Sequence, residues 1–140
     1  MKNVYFAGRF SQRQNLLQRS KDLKHVVDIN VTSRWLFGLH GSAEDFAAKK
    51  DQDFYEMCAA EDLFDIDNSD TFILFSEDPK QLFCRGGRMV EYGYALAKQK
   101  RMIVIGPAQN IFMLFPCVTR YETWEDFIRQ IRINNYYASK

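Results

Sequence analysis

The chain has 140 residues, 46% apolar and 15% aromatic, which is enough for one sizeable core and excludes a disordered polymer. Its 19 basic and 18 acidic side chains leave a net charge of +1, so no bulk attraction to polymeric nucleic acid or to an anionic membrane is expected. Cys58, Cys84 and Cys117 are odd in number and far apart, which argues against a disulfide framework or a zinc site and suits a reducing cytoplasm.

Met1 to Gly8 lacks the apolar stretch of a signal peptide, and no run approaches membrane-spanning length, so a soluble cytoplasmic protein is expected. Val4 to Ala7 reads as a buried strand ended by Gly8. Ser11 is an N-cap candidate for a helix over Gln12 to Lys24, where Leu16, Ser20 and Leu23 share a face. Val26 to Val31 is β-branched and predicts a second strand, leading into Thr32-Ser33-Arg34-Trp35-Leu36 before Gly38 and Gly41 break the chain. His25 and His40 share no metal-binding spacing.

Ser42 and Asp45 have capping-box spacing, and a helical pattern runs from there to about Asp67. Phe54, Met57, Cys58 and Phe64 fall on one face of it, with Glu61 and Asp65 on that face and Asp62 at its edge. Carboxylates do not enter a dry core unpaired, so this helix either emerges into water there or borders a polar cleft. Thr71 to Phe75 is an unbroken apolar strand, followed by a loop from Ser76 to Gly87 and a helix carrying Glu91. Met102 to Ile105 predicts a fourth strand closed by Gly106-Pro107, and Asn110 to Leu114 a short helical turn. Val118 to Tyr121 is a weak fifth strand, and Thr123 with Asp126 caps a last helix bearing Trp124, Phe127, Ile128 and Ile131.

This alternation predicts one domain, an α/β three-layer sandwich around a five-stranded, mainly parallel sheet. Ligands of such sheets bind outside the carboxyl ends of the strands, here Tyr5 to Ser11, Thr32 to Trp35, Ser76 to Glu91 and Gly106 to Asn110. Arg9, Arg13, Arg34, Arg85 and Arg88 lie on or beside those ends, and arginine's planar fork suits a phosphate or carboxylate, although some of these side chains simply face water.

Arg85-Gly86-Gly87-Arg88-Met89-Val90-Glu91 is the most informative stretch. Glycines at a helix start free backbone N–H groups for an anion, and Glu91, read as lying in the first turn, would be held ionised there. Dipole complementation alone also accounts for such a glutamate. The glycine pair is neither a Walker loop nor a dinucleotide fingerprint. Asp62 and Glu91 form a candidate carboxylate pair, as retaining glycosyl transfer uses: an ionised nucleophile and a second group that supports the leaving group. Phe10 and Trp35 are candidates to stack on a base, or are core.

Together, Val4-Tyr5-Phe6-Ala7-Gly8-Arg9-Phe10, Val31-Thr32-Ser33-Arg34-Trp35-Leu36, Glu61-Asp62-Leu63, the stretch from Arg85 to Ala95, and Val104-Ile105-Gly106-Pro107 through Asn110-Ile111-Phe112 resemble the nucleoside 2-deoxyribosyltransferase superfamily over nearly the whole chain. That superfamily also contains N-glycosidases of deoxynucleoside monophosphates, and the short phage and bacterial branch is the most similar. The resemblance implies a flavodoxin- or Rossmann-like sheet and a double displacement. Glu91 would be the nucleophile that forms a covalent sugar–enzyme intermediate, Asp62 would bind and orient the sugar, and Tyr5 would stand beside the nucleophile. Gly8, Arg9, Phe10, Arg34 and Trp35 are the substrate contacts expected from the first two rims, and Arg85, Gly86, Gly87 and Arg88 those from the third. Asn110 matches an asparagine that some members lend to a neighbour's site, which implies a homodimer or larger homo-oligomer. The stretch Leu82 to Arg88 departs from the serine and small residues of hydrolase members, so a phosphate grip would come from arginines and glycine amides.

The expected activity is cleavage of the N-glycosidic bond of a 2'-deoxynucleoside or its 5'-monophosphate, with transfer to an acceptor base or hydrolysis, and without a metal or redox cofactor. A catalytically silent nucleotide-binding module is the alternative of another class.

Overall fold

A computed structural model describes residues 1–38, 51–81 and 86–140. Strands β1 (Asn3–Ala7), β3 (Thr71–Phe75) and β4 (Arg101–Ile105) are buried from their first or second residue onward, because helices cover both faces of the sheet. With β2 (Asn30–Val31) and β5 (Val118–Tyr121) they form one five-stranded sheet in the order β2-β1-β3-β4-β5, every neighbouring pair parallel. Tyr5 pairs in register with Phe72, and Phe72 with Met102.

Alternate side chains go to opposite layers. Tyr5 and Phe72 stack at 5.5 Å and 7°, with Tyr92 edge-on to Phe72, on the face covered by α2 (Gln52–Asp67) and α3 (Gly87–Ala97). Phe6, Phe75 and Trp124 pack together on the other face, under α1 (Arg13–Val26) and α4 (Trp124–Ala138). Those two helices are tied where the Asn135 side chain donates to the Val26 carbonyl at 2.9 Å.

The α/β sandwich expected from the sequence is present, and two of its details differ. The second strand spans two residues only, because α1 runs on through Val26. That helix starts after Gln12, whose side chain makes no cap, while Ser11 lies in a preceding 3-10 turn. Asp51 caps α2, accepting the Phe54 N–H at 3.0 Å, while the expected cap at Ser42 and Asp45, like His40, lies outside the described residues. Thr123 caps α4 as expected, and Asn110 caps the 3-10 turn Ile111–Leu114. No helix among the described residues is long and apolar enough to cross a membrane.

In this strand order the chain reverses direction across the sheet between β1 and β3, and the loops leaving those two strands border a crevice. The rim after β3 is fixed to its neighbour. The Ser76 N–H donates to the Ile105 carbonyl, and its hydroxyl lies 2.6 Å from the Pro107 carbonyl oxygen. Gly106 sits at φ +111, where a Cβ would stand 2.6 Å from the Ser76 Oγ, so only glycine fits that turn.

Candidate active site

Three elements bring Tyr5, Asp62 and Glu91 together. Tyr5 is fully buried on β1, with its hydroxyl toward Glu91 on α3; the two are close enough to shift each other's titration without forming a well-aligned hydrogen bond. Asp62 on α2 is near enough to raise both Tyr5 and Glu91 electrostatically. These two carboxylates sit on α2 and α3, which pack against each other on this face.

Burial works against the ionised Glu91 expected from helix polarity. The helix begins at Gly87, so Glu91 is beyond its first turn and the N-terminal dipole does not act on it at close range. Burial, then the charge of Asp62, push its carboxyl up to about 8, against weaker lowering by the Tyr5 hydroxyl and the Arg88 guanidinium. Burial, then Glu91 and Asp62, likewise raise the Tyr5 hydroxyl well above its ordinary range.

Gly86 caps α3 at φ +94, its carbonyl accepting the Met89 and Val90 N–H groups, and among the described residues no atom lies within 4 Å of a Cβ placed at Gly86 or Gly87. Arg88, the next residue, is only 7% exposed and reaches the Glu77 carboxylate at 2.7 Å. Arg9, after β1, meets the same carboxylate at 2.7 Å from its Nε. Burial alone would raise Glu77, but the bonds from Arg88 and Arg9 outweigh it and hold the carboxyl below the ordinary value. Glu77 therefore joins the two rims of the crevice. Sequence reasoning missed it, although it lies in a predicted rim; a lone carboxylate among rim arginines was the available signal.

Arg34 is committed elsewhere. Its Nε and backbone N–H donate to the buried Asp65 at 2.9 and 3.0 Å, and a second nitrogen lies 3.4 Å from Glu61. This answers how carboxylates enter the apolar face of α2: Asp65 is buried as a paired ion, whereas Met57 and Phe64 on the predicted face are exposed.

Trp35 is corrected from a base-stacking candidate to a core residue. It is 5% exposed, and its indole N–H donates to the Phe6 carbonyl at 2.8 Å. Phe10 is partly buried, 6.4 Å from Trp35, with the Arg13 guanidinium 5.5 Å from its ring. At Gly8 a Cβ would lie 2.6 Å from a Leu16 methyl, so this glycine lets α1 approach β1. The Asn110 side-chain oxygen accepts the Phe112 N–H at 3.0 Å, and its amide nitrogen is 3.5 Å from the Met89 sulfur, beside α3. Arg85 lies outside the described residues.

No protein-family model matches the chain, and no curated protein matches it in sequence. Among solved structures it is similar to the Clostridium botulinum CMP N-glycosidase BcmB, at 18% identity and a TM-score of 0.57 over 94% of this chain and 99% of that one. It is equally similar to a conserved protein from Enterococcus faecalis V583, at 15% identity and a TM-score of 0.57 over 96% of this chain and 99% of the other. At these identities what is shared is the fold, nearly end to end: a parallel five-stranded α/β sandwich of Rossmann-like architecture.

Proposed function

We propose that the protein cleaves the N-glycosidic bond of a 2'-deoxynucleoside or its 5'-monophosphate, with Glu91 as nucleophile. The observation that carries this reading is the convergence of Glu91, Asp62 and Tyr5, from α3, α2 and β1, on one face of a parallel sheet. The Glu91 carboxylate attacks the anomeric carbon, the C1'–N bond breaks, and the base leaves with the bonding pair and takes up a proton. Glu91 attacks as the carboxylate, so the proton it holds with a value of about 8 is lost before the attack, and the departing base takes its proton from solvent. Asp62 orients the sugar, and Tyr5 holds the nucleophile. A second base or water then attacks C1' and frees Glu91.

Transfer to a base is the first reading, from the sequence resemblance. Hydrolysis of a monophosphate is the second, favoured by the arginines at the crevice and by a fold neighbour that is a CMP N-glycosidase. Self-association is part of the proposal: Ile111, Phe112, Leu114 and Phe115, beside Asn110, and Val90, next to Glu91, are 45–73% exposed.

The test is free-base release, followed by liquid chromatography, from deoxynucleosides and their 5'-monophosphates, with and without a second base. Release that needs the second base identifies a transferase, and release in water alone a hydrolase. If no base is released, or Glu91→Gln releases it as fast as the parent, the proposal falls.

A further inference from the structure

Arg34 opens the 3-10 turn Arg34–Phe37 that follows β2, and the segment around it is stitched to β1 on both sides of Tyr5. The Thr32 N–H donates to the Val4 carbonyl at 2.9 Å, the Phe6 N–H donates to the Ser33 hydroxyl, and the Trp35 indole N–H donates to the Phe6 carbonyl at 2.8 Å. Thr32, Ser33 and Trp35 therefore hold Arg34 in the same frame as Tyr5. From that frame Arg34 grips one side of α2. Its Nε and backbone N–H take the two oxygens of Asp65 at 2.9 and 3.0 Å, a second guanidinium nitrogen lies 3.4 Å from Glu61, and the guanidinium stands 5.7 Å from the centre of the Phe64 ring. Glu61, Phe64 and Asp65 share one helical face. Asp62 lies on the neighbouring, inward stripe, one turn from buried Cys58 on one side and buried Ile66 on the other.

A two-point grip on a carboxylate that is itself buried fixes both the rotation of α2 about its axis and its height against the sheet. The Asp65 side chain is 6% exposed, so loosening the grip leaves a poorly paired carboxylate that draws this part of α2 outward toward water. We propose that Arg34 is a positioning residue, which sets α2 against β1 so that the Asp62 carboxylate faces Tyr5 and Glu91. It acts through Asp65 rather than on substrate. Burial aside, the groups that act on Glu91 among the described residues are Asp62 from α2, Tyr5 from β1 and Arg88 from α3; Arg34 is felt there through the place it gives Asp62. The consequence for turnover rests on the proposed N-glycosidic activity; the arrangement of the two carboxylates does not.

The readout is the Glu91 carboxyl, titrated by carbon-13 NMR in the full chain without substrate and assigned by its loss in Glu91→Gln. Arg34→Lys keeps the charge and removes the fork. It should lower the Glu91 inflection by roughly half a pH unit or more, as Asp62 recedes and its charge weighs less. In an Asp62→Asn background the same substitution should move it little, because the group it acts through is gone. Arg34→Gln should move it the same way, against the rise that loss of a cation alone produces; should that variant not fold, Arg34→Lys carries the test. Asn135→Ala, which cuts the tie between α1 and α4 on the opposite layer, should lower the melting temperature without moving Glu91. An Arg34→Lys inflection equal to the parent's overturns the proposal, even beside a lower melting temperature, and so does a shift that survives undiminished in Asp62→Asn. Where base release is measurable, Arg34→Lys should slow turnover roughly tenfold and show the same downward shift in kcat/KM. The Glu91 shift without base release retires the activity and keeps the positioning; base release that depends on Glu91, with no shift, does the reverse.

Discussion

Arg88 and Glu77 form a 2.7 Å ion pair between the start of α3 and the rim of β3, with the Arg88 side chain only 6% exposed. Removing the carboxylate leaves a buried guanidinium short of a partner. Glu77→Gln should therefore cost about 2 kcal/mol, below the value for a fully buried pair because Glu77 is partly solvated. Since the folded-state value is lowered, this contribution is present above the unfolded value near 4.5 and is lost as pH falls below it through the lower folded value. Urea unfolding at pH 7 should separate the two proteins, and the gap should shrink steadily as unfolding is repeated at more acid pH.

Glu91 has the opposite sign. Its value is raised to about 8 from 4.5, so the native state holds a proton that the unfolded chain gives up. Its contribution to stability is intact below 4.5 and is lost as pH rises toward 8. The parent should lose melting temperature relative to Glu91→Gln across that interval, and parallel melting curves would contradict the burial of this carboxyl.

The same group sets the pH dependence of catalysis. In the free enzyme kcat/KM should rise with pH to a plateau, with an inflection near 8. Asp62→Asn removes the charge that raises Glu91 and should move the inflection down, besides slowing turnover. Tyr5→Phe removes a hydroxyl that lowers Glu91 and should move it up. Profiles of the three proteins on one substrate check both directions, and coincident inflections would break the link between these residues.

Two glycines with positive φ should differ when substituted. Gly86→Ala meets no atom of the described residues and should carry mainly the backbone cost, about 1 kcal/mol. Gly106→Ala meets the Ser76 hydroxyl and carbonyl as well and should cost about 3 kcal/mol. Equilibrium unfolding of both variants gives the comparison.

The exposed apolar side chains beside Asn110 make self-association testable. Leu114→Glu should shift the sedimentation coefficient of a dimer toward that of a monomer and reduce base release. A parent chain that sediments as a monomer at micromolar concentration removes the oligomer from the proposal.

Much of this arrangement was legible in the sequence because β1, β3 and β4 are apolar along their length, the mark of strands covered on both faces. Val26 and Val27 misled for the converse reason: β-branching suggests a strand, but packing carries α1 through Val26. The position of Glu91 was visible and its ionisation was not, because burial and the nearness of Asp62 arise only when α2 docks on α3. Glu77 could not be paired from sequence, since Arg9 lies 68 residues away along the chain. Trp35 was ambiguous until its indole N–H was seen to bond the Phe6 carbonyl.

All four ladders of the sheet are parallel, so no neighbouring pair of strands closes as a hairpin; each waits for its crossover. Long loops must close before any ladder rewards them, which makes sheets of this kind slow to form. Tyr5, Asp62 and Glu91 come from β1, α2 and α3, so no locally folded fragment contains the constellation. Its chemistry belongs to the finished sheet, and a nascent chain has none of it until the segment through α3 has emerged and docked.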